Sequence, residues 1–129
     1  MKWTLEVVPI PVTDVDAAKR FYIDRIGFDL DHDVRVNDDL RVVQLTPPGS
    51  GCSIVLGIGT DAAPGSLQGV QLVVPDIDAA RAELVERGVD VSEVEQVAPG
   101  DGGRFLRFRD PDGNGWAVQE IRARAAPSR

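Results

Sequence analysis

The stretch VTDVDAA at residues 12–18 returns as VPDIDAA at residues 74–80, with five of the seven positions identical. The two copies lie 62 residues apart, close to half of the 129-residue chain. Two further matches keep the same order, namely GFDL (27–30) with GVDV (88–91) and PPG (47–49) with PDG (111–113). Three matches in register indicate a tandem duplication inside a single domain that spans residues 1–129.

Each repeat, about residues 1–60 and about residues 66–122, has the pattern of one strand, one helix and three short strands. An alternating apolar segment, VVPIPV or GVQLVV, predicts the opening strand, and an aspartate then starts the helix. Gly27 and Gly88 stand where a left-handed residue closes a helix. The other strands are predicted at 30–36, 40–46 and 52–57, and at 90–96, 104–109 and 115–120. The predicted fold class is therefore α+β, a βαβββ unit used twice.

Composition argues against several classes of partner. The formal net charge of −7 disfavours nucleic acid, because phosphate binding needs clustered Lys and Arg. There is no apolar run long enough to span a membrane and no signal-peptide layout, so we expect a cytoplasmic protein without a membrane partner. The single cysteine, Cys52, allows no disulfide within the chain. Residues 123–129 are predicted to form a flexible tail.

Two motifs, VTDVDAAKRFYIDRIGF at 12–28 and FRDPDGNGWAVQE at 108–120, resemble those of the vicinal oxygen chelate superfamily. That superfamily contains glyoxalase I, bleomycin-resistance proteins and extradiol dioxygenases, and the resemblance covers nearly the whole chain. It implies two mixed sheets that each curl round a concave pocket. It also implies that two chains often pair, so a homodimer is expected. It says little about chemistry, because many reactions use this scaffold.

Metal-dependent members of the superfamily hold a divalent ion with side chains from the first and last strands of each repeat. Counted from the two motifs, the resemblance assigns these positions to Val7, Ser53, Gly69 and Ala117. Zinc, nickel, manganese and iron prefer imidazole, carboxylate or thiolate ligands, and none of the four residues supplies one. The family metal site is therefore predicted to be lost, and no cofactor is expected.

The register of the strands decides which side chains line the pocket, since a slip of one residue turns every side chain to the opposite face. The register used above keeps Val8, Ile10 and Val12 on the apolar face that packs under the helix. The opposite face is then predicted to bind the ligand through Val7, Pro9, Gln44, Ser53, Gln71, Ala117 and Gln119. An apolar cavity with a few amides and hydroxyls suits a small organic molecule.

The leading hypothesis is a metal-independent binding protein, similar to bleomycin-resistance proteins, that sequesters a small metabolite or antibiotic. One alternative is a lyase, isomerase or dioxygenase of the same superfamily, either with metal-free acid/base chemistry or with metal bound elsewhere. Such a metal would use Glu6, His32 or Glu120. Another alternative is a non-catalytic dimeric interaction module. The sequence assigns no catalytic residue.

The pattern Asp110-x-Asp112-x-Asn114-Gly115 matches the beginning of a calcium-binding loop. Its twelfth position is Ile121 where the loop requires glutamate, so we expect a tight hairpin turn in its place, with Gly113 and Gly115 at positive φ.

We expect structural roles, and not catalytic ones, for the histidine, the cysteine and four aromatic side chains. His32 is expected in a solvated strand or loop, and Cys52 is expected to be a small buried residue. Core or interface positions are expected for Trp3, Phe21, Tyr22 and Trp116.

Overall fold

In a computed structural model of the protein, which describes residues 1–125, the chain forms two mixed sheets of four strands each. The first sheet has the order β1-β4-β3-β2, with β1 (Val7–Ile10), β2 (Asp29–Asn37), β3 (Leu40–Thr46) and β4 (Ser53–Leu56). The second has the order β5-β8-β7-β6, with β5 (Val70–Val74), β6 (Glu95–Gln96), β7 (Arg104–Arg109) and β8 (Gly115–Glu120). In both sheets the first strand runs parallel to the last and the other pairs are antiparallel. The expected α+β class is confirmed.

The chain divides into two compact units. The first contains residues 1–67 together with Asp110–Asn114, and the second contains residues 68–109 and the chain from Gly115 onward. The turn between β7 and β8 thus belongs to the first unit, although both strands belong to the second.

Both helices, α1 (Val15–Arg20) and α2 (Ile77–Glu86), begin behind a capping aspartate. The carboxylate of Asp14 accepts a hydrogen bond from the third residue after it at 3.0 Å, and Asp76 does the same at 3.1 Å. A cap of this kind satisfies an N–H group that has no partner inside the helix. No helix within residues 1–125 is long and apolar enough to span a membrane.

The two helices end differently before their closing glycines. Gly27 and Gly88 have positive φ angles of 93° and 79°, as expected for residues that close a helix. Between α1 and Gly27 the helix widens into a π-helix over Phe21–Ile26, which the sequence pattern did not predict.

Two sequence-based expectations about the second unit are wrong. A strand was expected at 90–96, but β6 contains only Glu95–Gln96. The Ser92 hydroxyl accepts the backbone N–H of Arg107 at 2.9 Å, so a side chain replaces part of the strand ladder. Gly115 was expected at positive φ, but it lies in β8 and has no positive φ, unlike Gly113 at 98°.

Residues 126–129 lie outside the described part of the chain, and they make up most of the predicted flexible tail at 123–129. At the start of this segment, Arg122–Arg124 forms a short 3₁₀ turn.

Each unit has its own apolar core. The first is built mainly from Ile10, Tyr22, Phe28, Val43, Leu45 and Leu56, and the second from Ile77, Leu84, Leu106, Phe108, Trp116 and Val118. The rings of Tyr22 and Phe28 stack with their centroids 5.7 Å apart. Trp3 is 86% exposed and belongs to neither core. Cys52 is half-buried, not fully buried as expected.

Candidate functional site

The first sheet has a core face and an opposite face, which we name the first face. Val43 and Leu45 on β3 are fully buried, so their neighbours Gln44 and Thr46 point to the opposite side, since strand side chains alternate. Residues that pair across a ladder share a face. The first face therefore contains Val7, Pro9, Gln44, Thr46, Ser53 and Val55, with Val7 opposite Ser53 and Pro9 opposite Val55.

Two hydroxyls and a carboxylate meet on the first face. The oxygens of Ser53 and Thr46 lie 2.6 Å apart, and the Thr46 hydroxyl donates to Oδ2 of Asp31. A β-bulge between Leu30 and His32 places Asp31 within reach of β3. Ser53 is only 7% exposed, whereas Asp31 is exposed. We name these three residues, Asp31, Thr46 and Ser53, the hydroxyl–carboxylate cluster.

Sequence reasoning missed Asp31 and Thr46. The spacing could have indicated Thr46, because it follows Gln44 by two residues in the same strand. No alternation could have indicated Asp31, because the bulge breaks the period of β2 there. His32 pairs with Gln44 and shares the first face in an exposed position, in agreement with the expected solvated strand.

The second sheet also has a face opposite its core, which we name the second face. Gln71 pairs with Ala117 and Val73 pairs with Gln119 across the β5–β8 ladder. Nε2 of Gln71 donates to Oε1 of Gln119 at 2.8 Å, and Nε2 of Gln119 donates to the carbonyl oxygen of Gly102 at 2.8 Å. A chain of amides thus runs along this face.

The side chains at the implied metal positions do not fit a divalent transition metal. On the first sheet, Val7 has no donor atom and Ser53 shares its hydroxyl with Thr46. On the second, Gly69 precedes β5, and the ladder partner of Ala117 is Gln71, a neutral amide. Neither pair supplies the carboxylate, imidazole or thiolate that these ions prefer.

Within residues 1–125, one group of carboxylates is compact enough to suggest a cation site, with ligand atoms within 4.8 Å of one another: Asp76, Asp78 and Glu120. Two arginine side chains already pair with two of its three carboxylates. Arg104 contacts Asp78 at 3.0 Å and holds the pKa of that carboxyl below its usual value, and Arg122 contacts the buried Glu120 at 3.0 Å. Glu120 also accepts the N–H of Ile77 at 3.0 Å, so this group anchors the start of α2.

The alternative metal ligands of the sequence analysis do not form a group. Glu120 alternates with Gln119 and lies on the buried side of β8, away from the second face. Glu6 is exposed and precedes β1, where its carbonyl oxygen accepts the N–H of Ser53 at 2.9 Å. Among the described residues, neither Glu6 nor His32 belongs to a group of three possible metal ligands.

The hairpin turn with calcium-loop spacing is held by its own hydrogen bonds. Asp110, which is 5% exposed, accepts the Tyr22 hydroxyl and the Asn114 side-chain amide, both at 2.8 Å. It also accepts the backbone N–H groups of Asp112 and Asn114 at 3.0 and 2.9 Å. The Asp112 carboxylate in turn accepts the Thr13 hydroxyl at 2.7 Å. The turn therefore has a structural role in the first unit.

Two four-stranded mixed sheets, each with a capped helix after its first strand, define the glyoxalase-like class of α+β proteins. The chain belongs to the Glyoxalase/Bleomycin resistance protein/Dioxygenase superfamily, whose family description matches residues 4–118. This confirms the resemblance carried by the two motifs.

Three solved structures are similar over nearly the whole chain. TnmS3, an antibiotic binding protein from Streptomyces sp. CB03234, is 36% identical with a TM-score of 0.82, covering 93% of this chain and 97% of that chain. A glyoxalase/bleomycin resistance protein from the same source is 36% identical with a TM-score of 0.78, covering 91% and 100%. A superfamily member from Sphaerobacter thermophilus DSM 20745 is 32% identical with a TM-score of 0.80, covering 92% and 98%. No curated protein matches the chain.

Proposed function

We propose that the protein is a metal-independent binding protein that sequesters a small organic metabolite or antibiotic. The observation that carries the proposal is the set of side chains on the paired first and last strands. Val7 with Ser53, and Gln71 with Ala117, offer apolar surface, one hydroxyl and one amide. Such side chains suit an organic ligand that is oriented by a few hydrogen bonds, and they suit a divalent ion poorly.

The relatives support the same proposal. TnmS3 is described as an antibiotic binding protein and is 36% identical to this chain over nearly all of its length. The shared fold alone would not separate binding from catalysis, because superfamily members use it for both. The side chains at the family's metal positions add a second argument. They do not supply the ligands that metal-dependent chemistry of this superfamily requires.

The test is equilibrium dialysis of the purified protein against a panel of antibiotics that includes bleomycin, with and without excess EDTA, followed by mass spectrometry of the recovered compound. We expect at least one compound to bind, to bind equally well with EDTA, and to be recovered unchanged. Elemental analysis of protein purified without metal-affinity resin should find no stoichiometric Zn, Ni, Mn or Fe. Chemical conversion of the compound, or binding that EDTA abolishes, would favour the enzyme alternative.

A homodimer is the second part of the proposal, and exposed apolar side chains favour it. Trp3 and Leu5 near the N-terminus, and Val34 and Val36 on β2, are all exposed although they are large and apolar. β2 is an edge strand of its sheet, and exposed edges with apolar side chains tend to pair with another chain. Analytical ultracentrifugation should give twice the mass of 13.9 kDa for the wild-type protein, and a Trp3→Ser, Val36→Thr variant should shift toward the monomer.

A further inference from the structure

Two carboxylates of β2 lie in contrasting surroundings. Asp33 forms ion pairs with Lys19 at 2.7 Å and with Arg41 at 2.8 Å, and these two cations hold its pKa far below the usual value. Asp31 is two residues earlier on the same strand. Among residues 1–125, no Lys, Arg or His lies within ion-pair distance of Asp31. Its negative charge is therefore met by hydroxyl groups and not by a cation.

The hydrogen bonds of the hydroxyl–carboxylate cluster consume both of its protons. A carboxylate can only accept, so the proton of Thr46 is donated to Asp31. The Ser53 hydroxyl must then be the donor across the 2.6 Å contact to Thr46, because the single proton of Thr46 is already used. A Ser53 proton that turned toward Asp31, 3.5 Å away, would also stay inside the cluster. What the cluster offers to a ligand is lone pairs and one negative charge.

We propose that the hydroxyl–carboxylate cluster binds a protonated nitrogen of the ligand, and that the preferred ligands are apolar molecules with an ammonium group. This inference rests on the proposed small-molecule function. An ammonium has three donors and no acceptor, which complements a cluster that has acceptors only. Val7, the ladder partner of Ser53, is half-buried and gives the apolar part of such a ligand a surface next to the anchor.

The surroundings favour a cation further. The chain has a net charge of −7, so its overall field attracts cations and repels anions. Asp31 is exposed and Ser53 is buried, so a ligand can reach the carboxylate from solvent while its nitrogen approaches the less hydrated hydroxyl.

The experiment compares three probes of nearly equal size: 1-naphthylmethylamine, which is a cation at neutral pH, 1-naphthalenemethanol, which is neutral, and 1-naphthoate, which is an anion. Their affinities are measured by ligand-observed NMR titration of the full chain. We expect the amine to bind roughly fivefold more tightly than the alcohol, which is the upper end of the range for an exposed charge pair. The carboxylate should bind most weakly.

Three variants show whether this preference comes from the cluster. Asp31→Asn keeps an acceptor for Thr46 but removes the charge, and should bring the amine within roughly twofold of the alcohol. Thr46→Val leaves the charge and should reduce the preference only in part, because the carboxylate loses the hydroxyl that positions it. Asp38→Asn removes one charge from the exposed turn between β2 and β3 and should leave the preference unchanged.

The outcomes separate this inference from the proposed function. Equal affinity for all three probes, or a preference that survives in Asp31→Asn, would overturn the ammonium anchor and leave the binding function standing. A preference lost equally in Asp38→Asn would assign it to net charge and would also overturn the anchor. If neither the probes nor the antibiotic panel bind to the wild-type protein, the proposed function fails and the anchor fails with it.

Discussion

Thr46 and Asp110 lie 64 residues apart, each close to the end of the third strand of its repeat, and they serve different purposes. Thr46 is half-buried, and its hydroxyl joins Ser53 to Asp31 on the first face. Asp110 is buried, and its carboxylate accepts four hydrogen bonds, three from the turn and one from Tyr22. One strand end thus contributes to the proposed ligand surface, while the other holds the backbone in place.

The two faces also differ in the hydrogen-bonding groups that they offer. The cluster on the first face presents acceptors only, whereas the amide of Gln71 on the second face uses one N–H to reach Gln119. Its own carbonyl oxygen, Oε1, accepts no hydrogen bond from any residue between 1 and 125, so this amide can offer both a donor and an acceptor. The two units therefore share capping aspartates and closing glycines but differ in the chemistry of their faces.

The largest effect should come from removing the centre of the turn. Asp110→Ala removes the shared acceptor of four hydrogen bonds in a buried turn. Because each buried donor that loses its acceptor costs about 1 to 3 kcal/mol, the total loss should be about 3 to 5 kcal/mol. The free energy of unfolding, measured by urea denaturation, should fall by that amount.

The equivalent change in the first repeat gives the matched control. Thr46→Val keeps the side-chain shape and removes one half-buried hydroxyl, so it should cost about 1 kcal/mol. Equal losses in Asp110→Ala and Thr46→Val would contradict the division of roles between the two strand ends.

The next largest loss of stability is expected at Gly65, and a comparison with Gly69 distinguishes backbone strain from steric collision. Gly65 and Gly69 have nearly the same φ, 81° and 83°, so an alanine at either position should cost about 1 kcal/mol in strain. A Cβ atom at Gly65 would also collide with the carbonyl oxygen of Asp112, whereas at Gly69 it would meet nothing within 4 Å. Gly65→Ala should therefore be about 1 to 3 kcal/mol more destabilising than Gly69→Ala.

Differential scanning calorimetry of both variants provides the measurement. A Gly69→Ala variant as unstable as Gly65→Ala would show that φ alone sets the cost, and that the approach of Asp112 to Gly65 has no separate energetic role.

The sequence predicted the backbone of this protein better than its surface chemistry. Asp14, Asp76, Gly27 and Gly88 have local structural roles, so their caps and left-handed angles could be read directly. Asp31 could not be found in this way, because a bulge turns it toward Thr46 against the alternation of the strand. The ligand-binding roles predicted for the two faces stay predictions, since they depend on a partner molecule and not on the chain alone.

The ion pairs of Asp33 predict a difference between the units in acid. Arg41 first and Lys19 second lower the pKa of Asp33, so its stabilising effect is complete above the unfolded-state pKa of about 3.9. It is lost as the pH falls from there toward the folded-state pKa. The midpoint of thermal unfolding should therefore drop as the pH falls below about 4, and Asp33→Asn should reduce that drop.

Asp78 in the second unit is the matched comparison. Its pKa is lowered by Arg104, but its side chain is mostly exposed, so solvent screens the pair more strongly. Asp78→Asn should flatten the acid dependence less than Asp33→Asn. An equal effect of the two substitutions would contradict the view that partial burial strengthens the Asp33 network.

The smallest effect on stability is expected at the second face. Gln71 is exposed, and its bond to Gln119 competes with water, so Gln71→Ala should change the free energy of unfolding by less than about 0.5 kcal/mol. On the first face, by comparison, Ser53→Ala removes a buried hydroxyl and should cost about 1 kcal/mol.

Because Gln71→Ala should leave the fold intact, its effect on ligand binding can be measured separately from its effect on stability, by combining urea denaturation with the dialysis assay. Weaker retention of a bound antibiotic at unchanged stability would mean that the amide contacts the ligand. Unchanged retention would confine ligand recognition to other side chains and leave the amide chain a feature of the sheet surface.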